Sequence, residues 1–363
     1  MLIKKIHVWR YLIKMNNEKV IIPGEKILEL LRNNSMSQLD LADKTGIHKK
    51  TINEIINGKA PITNATALKL EYVFGVSSEY WNKIESEYRD SIERQKDIES
   101  VKSDEKYLKN IPYKEMAKRG WVIDTKDTYE RVINLRKFFS VASLSFDTDL
   151  KRKISFRKSA NKKVSIESLY CWLRFGEIES NRYNFDPFDT ELLKQKALDI
   201  RLLAGKTFIE SLDEIKTLLR GAGVSLVYES HLPNTYVNGV SYKISNDKAI
   251  IMISDRGKRD DILWFTLFHE IAHLIKHSKK GMFLDLDNRD ESEIEKEADN
   301  YARNILIDDE IYNDFVGTYK KLNVDIIKQF SVVNNITPGV LVGRLQKDGI
   351  IGWNRFNELV KRV

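Results

Sequence analysis

The motif H-E-x-x-H, which occupies residues 269–273, constrains the fold of this chain more than any other segment. It lies within an apolar stretch that runs from residue 261 to 277. Residues four apart share one face of an α-helix, so His269 and His273 can hold one metal ion together only if the segment is helical. Glu270 then lies beside them, within reach of water on that ion. The pattern therefore predicts a buried helix with a metal site on one face.

The motif is specific in a chain with 6 histidines among 363 residues. A chance occurrence is expected in roughly one such sequence in a hundred. The alternative is a core helix whose histidines form ordinary hydrogen bonds.

A third ligand is needed, because catalytic zinc usually takes three protein ligands and leaves a fourth position open. His277 continues the spacing, but it lies about 12 Å along the helix from His269, too far for one ion. A second helix over residues 291–306 offers carboxylates instead. Glu297 adjoins Ala298 on the apolar stripe of that helix. The sequence therefore predicts Glu297 as the third ligand.

Three other carboxylates of the same helix receive lesser roles. Glu293 is the reserve ligand, one turn before Glu297. Glu291 and Glu295 are assigned to a solvated face, which is the usual meaning of a run of charges.

The segments T-L-F-H-E-I-A-H, residues 266–273, and E-K-E-A-D-N-Y-A, residues 295–302, resemble the ImmA/IrrE family of metallopeptidases. That family has H-E-x-x-H followed by E-x-E-A-N-x-F-A. The resemblance covers about residues 195–350. It implies a zincin-like domain with Zn²⁺ on His269, His273 and Glu297 and with Glu270 as the general base. Asp299 and Tyr301 stand where Asn and Phe are common in the family, and neither change removes a ligand.

Two supporting roles stay open. A donor to the developing oxyanion is expected, and the unranked candidates are His231, Tyr242, His277 and Tyr301. Partners for the second ring nitrogens of the histidine ligands are also expected, and Asp299 is an option that faces either toward the site or away.

Residues 21–90 predict a second kind of domain. Ser37 is suited to cap one short helix, residues 45–47 form a tight turn around a glycine, and a second short helix runs over residues 48–57. Two short helices joined by such a turn are typical of a helix-turn-helix.

This region resembles the HigA-type antitoxins of the Cro/repressor-like family. The matching segments are S-Q-L-D-L-A-D-K-T-G-I, I-I-N-G-K-A-P-I-T, T-A-L-K-L-E-Y-V-F-G and S-E-Y-W, between residues 37 and 81. In such domains the second helix enters the major groove by its first residues. The residues expected to contact DNA are Gln38, His48, Lys49, Lys50, Asn53 and Lys59.

The charge balance favours DNA binding only in local stretches of the helix-turn-helix region. The chain has a formal charge of +7, whereas residues 21–90 carry nine Lys or Arg and ten Asp or Glu. The N-terminal 20 residues are basic, and we expect this arm to assist DNA binding. The alternative is a helix-turn-helix used only for protein contacts.

We therefore expect a mainly α chain with a small β-sheet, of the α+β class. The expected divisions are an arm or strand over 1–20, an all-α helix-turn-helix domain over 21–90, a charged helix and linker over 91–120, a helical region over 121–194 and a metallopeptidase domain over 195–363. Strands are predicted at 224–229, 235–244 and 249–254.

Three other sequence features limit the redox chemistry, the cellular location and the binding surfaces that we expect. One cysteine, Cys171, excludes an intrachain disulfide and is expected to be a buried apolar residue. No apolar run is long enough to cross a membrane and no secretory signal is present, so we expect a cytoplasmic protein. The stretch 151–163 has seven basic residues and no acid, which suits either an anion-contacting or docking surface or a solvated loop.

Together these features predict a DNA-binding transcriptional regulator with a zinc-dependent metalloendopeptidase domain. Its substrate would be a regulatory protein, such as a repressor in a stress, mobile-element or toxin–antitoxin system. The alternatives are a HigA-like antitoxin or autoregulator whose peptidase-like domain senses or docks without cleaving, and a toxin–antitoxin fusion. The expected partners are operator DNA, a protein substrate or toxin, and a second copy in a homodimer. The metal is expected to be zinc, with another first-row ion as the alternative.

Overall fold

A computed structural model of the chain describes residues 20–145, 164–277, 283–286, 293–319 and 321–363, with no side-chain description for 283–286. The predicted arm, except its last residue, and the basic stretch 151–163 lie outside the described residues. The chain divides into two compact units, residues 1–103 and 104–363.

The first unit is helical in the part that the structure describes. Its helices are α1 (Pro23–Asn33), α2 (Gln38–Thr45), α3 (Lys49–Ile56), α4 (Asn64–Phe74) and α5 (Ser78–Asp104), the last ending at the unit boundary. Ser37 and Asp40 form a reciprocal capping box that starts α2. Gly46 adopts a left-handed conformation with φ of 64° and ends the helix there, as the tight turn requires.

The core of this unit is built around Trp81, which is fully buried together with Leu41 and Ala67. Helix α1 crosses α3 closely: a Cβ added to Gly24 would lie 2.0 Å from the carbonyl oxygen of Ile56. Glycine at residue 24 therefore sets the distance between the two helices.

The second unit contains most of the helices and a mixed sheet. Its helices are the 3₁₀ turn Glu105–Lys109, α6 (Tyr113–Lys118), α7 (Thr128–Phe139), α8 (Ile166–Ser180), α9 (Thr190–Arg201), α10 (Phe208–Arg220), α11 (Asp260–His277), α12 (Glu293–Leu306), α13 (Asp309–Thr318), α14 (Val324–Val333), α15 (Pro338–Lys347) and the 3₁₀ turn Asn357–Leu359. Its strands are β1 (Val224–Tyr228), β2 (Val237–Ser245), β3 (Lys248–Ile253) and β4 (Phe283–Leu286).

The four described strands are ordered β1-β3-β2-β4. Strand β1 pairs with β3 in parallel, and β2 pairs with both β3 and β4 in antiparallel fashion. The three predicted strands are confirmed to within two residues, and β4 was not predicted. The α+β class is likewise confirmed.

Helix α11 is the central element of the second unit. It packs against α12, β2, α15 and α9. Its side chains Trp264, Leu267 and Phe268 are fully or almost fully buried, because they face this packing on several sides. Cys171 is buried in α8, as predicted, and burial raises the pKa of its thiol. Within the described ranges, no helix combines the length and apolarity needed to cross a membrane.

The two-unit division differs from the five segments expected from the sequence. Residues 121–194 and 195–363 fall into one unit, and α5 carries the first unit as far as residue 103.

Candidate functional site

The centre of the site is a triangle of three buried ligand atoms. The Nε2 atoms of His269 and His273 lie 3.0 Å apart. The Oε2 atom of Glu295 lies 3.1 Å from the first and 3.5 Å from the second. Ligand atoms about 2.0–2.1 Å from a tetrahedral zinc ion lie about 3.3 Å from one another. The donor set and its spacing therefore fit a first-row metal ion such as Zn²⁺.

The position of Glu297 corrects the predicted third ligand. Its carboxylate contacts His277, with Oε2 3.0 Å from Nε2, and its side chain is 52% exposed against 12% for Glu295. On a helix, adjacent residues are about 100° apart, so Glu297 lies well to one side of Ala298. Glu295, three residues before Ala298, lies only about 60° away on the other side. The prediction chose Glu297 because it adjoins Ala298 in sequence, but adjacent residues do not share one face of a helix. The reserve ligand, Glu293, is exposed as well.

Asp299 faces the site, one turn after Glu295 on the same side of α12. Its Oδ1 atom lies 2.9 Å from Nδ1 of His269. A carboxylate there accepts a hydrogen bond from Nδ1–H, which keeps the proton on Nδ1 and makes Nε2 the ligand atom. This arrangement orients the ring of His269 toward the triangle.

Burial and hydrogen bonding compete in this cluster. Burial favours the uncharged forms: it lowers the pKa of His273 and alone would raise that of Glu295. For Glu295, its contacts with the rings of His269 and His273 outweigh burial, so the pKa of its carboxyl falls well below its usual range. A metal ion binds an ionised carboxylate and a neutral histidine, and these two pKa shifts favour both forms.

Glu270 is fully buried between α11 and the sheet. The Ser241 hydroxyl donates to its Oε2 atom at 2.5 Å. A Cβ added to Gly239 would lie 2.7 Å from its other oxygen. Gly239 and Ser241 are two residues apart on β2 and so share one face of the strand. That face fixes the carboxylate beside the histidines.

Of the four candidate oxyanion donors, His231 lines a cleft beside α11. Its Nδ1 atom lies 2.9 Å from Asp255, and this contact lowers the pKa of Asp255 although burial opposes the change. Tyr242 instead donates to Glu177 at 3.3 Å, and His277 pairs with Glu297. Tyr301 is half-buried under Lys276.

The predicted DNA-contacting residues cluster around α3. His48, Lys49, Lys50, Asn53 and Lys59 are exposed, and Gln38 is half-buried at the start of α2. Ile52 and Ile55 are buried on the opposite side, so α3 presents its polar side outward. His48 caps the helix, since its Nδ1 accepts from the amide of Lys50; this role was not predicted.

The sequence reasoning assigned Glu295 to a solvated face, left the direction of Asp299 open and did not name Ser241. The spacing from Glu295 to Asp299 repeats the i, i+4 spacing of the two histidines, and this was the signal available. Nothing in the sequence indicated that Ser241 would face Glu270.

Comparisons with known proteins match two separate regions of the chain. Residues 27–81 match the family described as helix-turn-helix, and residues 221–336 match the family described as IrrE N-terminal-like domain. Among solved structures, the chain is similar to an addiction module antidote protein of a HigA family from Coxiella burnetii. The identity is 30%, the match covers 24% of this chain and 96% of that chain, and the TM-score is 0.22. No curated protein matches the chain.

Proposed function

We propose that this chain, which carries an N-terminal helix-turn-helix domain and a C-terminal IrrE-like domain, is a DNA-binding regulator with zinc-dependent endopeptidase activity. The observation that carries the proposal is the triangle of His269, His273 and Glu295, with Glu270 buried beside it. Three ligands from two helices leave a coordination position open, as in catalytic zinc sites.

The residues of the site divide the chemical work. When bound, Zn²⁺ supplies Lewis-acid polarisation of a peptide carbonyl and makes water more acidic. Glu270 accepts the proton of the attacking water and passes it to the leaving amine. Ser241 donates to one oxygen of Glu270 and so orients the carboxylate for this transfer. Asp299 keeps His269 in the tautomer with Nε2 unprotonated.

The first unit supplies the DNA contacts in this proposal. Lys49, Lys50 and Asn53 lie on the exposed first turns of α3, the part of a recognition helix that enters the major groove. Lys59 follows α3 and suits a backbone phosphate. A peptidase attached to such a unit is suited to a regulatory protein as its substrate, a repressor being the leading class.

Metal content and cleavage test the enzymatic half. Purified full chain should contain close to one zinc per molecule, and His273→Ala should contain little. Glu270→Gln should keep its zinc but lose cleavage of a co-expressed helix-turn-helix repressor by about a hundredfold or more. Undiminished cleavage by Glu270→Gln, or equal zinc in His273→Ala, would contradict the proposal. Repression that survives in Glu270→Gln, with no cleavage by the unaltered chain, would favour a regulator that docks without cutting.

Gel-shift titrations test the DNA half. Promoter DNA upstream of the chain's own gene is the probe. Lys49→Ala with Asn53→Ala should weaken binding about tenfold or more, because base and phosphate contacts are lost together. Lys69→Ala, an exposed lysine on α4, is the matched control and should change little. Equal losses in both would indicate nonspecific attraction.

A further inference from the structure

A cleft of about 600 Å³ opens beside the first half of α11. Helices α11, α12 and α15 form its walls, together with the loop after β3 and the segment after α15. Its volume lies within the range of about 300–1,000 Å³ that is usual for ligand pockets. No residue of the triangle lines it, nor does Glu270, so the cleft extends beyond the metal-ligand cluster.

Apolar side chains cover most of the cleft surface. They come from three helices and the C-terminal segment: Ile262, Phe265, Leu306, Ile307, Val340 and Trp353. Trp353 is 62% exposed. A large aromatic side chain exposed at an apolar cleft is a feature of binding sites rather than of ordinary surface.

The rim of the cleft is cationic. Five Lys or Arg residues line it against two Asp residues, Asp261 and Asp348. The aspartates are already engaged: Asp261 pairs with Arg259 at 2.9 Å, and Asp348 lies 3.8 Å from Arg344 and 4.0 Å from Arg303. Lys347, also on the rim, is an exposed cation. An anionic group is therefore favoured at this rim.

The cleft adjoins the metallocentre along α11 and β2. Phe265 lines it one turn before His269, with ring centroids 6.1 Å apart. Thr266 lines it one turn before Glu270, and Asn238 lines it beside Gly239, which abuts Glu270. A polypeptide whose scissile bond lies at Glu270 would thus place a neighbouring side chain in this cleft.

We propose that the cleft is a specificity subsite for the substrate polypeptide, which binds an apolar side chain with acidic residues next to it. This inference rests on the proposed peptidase function. The apolar walls receive the apolar side chain, and the cationic rim around Lys347 attracts the carboxylates. His231, held by Asp255, and Asn238 lie at the same surface as donors to the peptide backbone.

Peptide binding to the zinc-loaded Glu270→Gln full chain tests the subsite without cleavage. The probes are two fluorescein-labelled peptides of ten residues that differ at two positions: one has a central leucine followed by two glutamates, the other has lysines at those positions. Fluorescence anisotropy should show at least about tenfold tighter binding of the acidic peptide. Equal affinities, or preference for the lysine peptide, would overturn the proposal.

Charge reversal at Lys347 tests whether the preference for the acidic peptide arises at the cleft. Lys347→Glu should reduce the preference for the acidic peptide about fivefold or more, because it places a like charge at the rim. Lys328→Glu makes the same change at an exposed residue of α14 outside the cleft, and it should leave the preference unchanged. Equal effects of the two variants would overturn the assignment to the cleft.

The two proposals fail in different ways. Selective binding that depends on Lys347, without cleavage by the unaltered zinc-loaded chain, would contradict the peptidase function and leave a peptide-binding cleft. Cleavage whose sequence preference is the same in Lys347→Glu and the unaltered chain would overturn the subsite and leave the peptidase function intact.

Discussion

The carboxylate that joins the two histidines is Glu295, and Glu297 two residues later pairs with His277. Residues two positions apart on a helix point about 200° away from each other. Which of the two carboxylates faces the histidines therefore depends on how α12 is rotated about its axis. A sequence shows which carboxylates share a helix, but the rotation is set by packing against α11. This is why the histidine pair was predictable and its partner was not.

Paired substitutions on α12 separate the two carboxylates. Glu295→Gln is expected to lower zinc affinity by at least about a hundredfold, because it removes a ligand. Glu297→Gln should keep the affinity within a few fold, because its side chain points to His277 and solvent. Competition against a fluorescent zinc chelator measures both. The reverse order would restore the prediction made from the sequence.

The pair of His231 and Asp255 makes a contribution to stability that depends on pH. Hydrogen bonds from His231 and Ser230 lower the pKa of Asp255 below its ordinary value of 3.8 although burial opposes this. A lowered folded-state pKa gives stability that is present above the unfolded pKa and is lost as pH falls through the folded pKa. Asp255 thus stabilises the fold at neutral pH but not in strong acid.

Asp255→Asn is expected to lower the free energy of unfolding by about 1 kcal/mol at pH 7, after allowance for solvent screening at a half-buried carboxylate. The difference from the unaltered chain should shrink as pH falls below about 4. Urea unfolding at several pH values measures it. Asp186→Asn, at an exposed residue, is the control. A deficit that stays constant down to pH 3 would contradict the assignment.

Strand β2 and helix α11 together fix Glu270, the proposed general base. Gly239 and Ser241 lie on one face of β2, and both meet Glu270. Three of the strands were predictable, because they are short apolar runs bounded by turn residues. Their order in the sheet was not, because β3 inserts between β1 and β2 and pairs with each in a different direction. The contact between Ser241 and Glu270 depends on that order.

Gly239→Ala tests how tightly these two elements meet. The new Cβ would lie 2.6 Å from Thr266 Cγ2 and 2.7 Å from Glu270 Oε1, so the helix or the strand must shift. We expect a loss of about 1–3 kcal/mol in unfolding free energy. Gly317→Ala is the matched control, because nothing lies within 4 Å of its added Cβ. Thermal unfolding compares them, and equal stabilities would show that the contact is loose.

Among the described residues, each of the two compact units contains a hydrophobic core of its own. Trp81 lies in the first core and Trp264 in the second, and each is fully buried. The helix-turn-helix and IrrE-like domains were predictable, since their motifs are local, whereas the bounds of the five segments stay a prediction. Which helices share a core depends on contacts between residues far apart in sequence, such as Arg201 with Asn334 and Asn335.

Separate cores predict two unfolding transitions in calorimetry. Trp81→Phe should lower the midpoint of one transition and leave the other within about a degree, and Trp264→Phe should do the opposite. Each variant is the control for the other. Loss of buried aromatic volume is expected to cost about 1–3 kcal/mol in either core. A single transition lowered by both variants would show that the units unfold together.

One consequence follows from the presence of both units on one polypeptide. Their stoichiometry is fixed at one to one at every level of expression. A system made of two separate proteins changes its balance whenever transcription, translation or degradation of one partner drifts. In this chain such drift changes the number of molecules only, so an excess of either unit over the other does not arise from gene dosage.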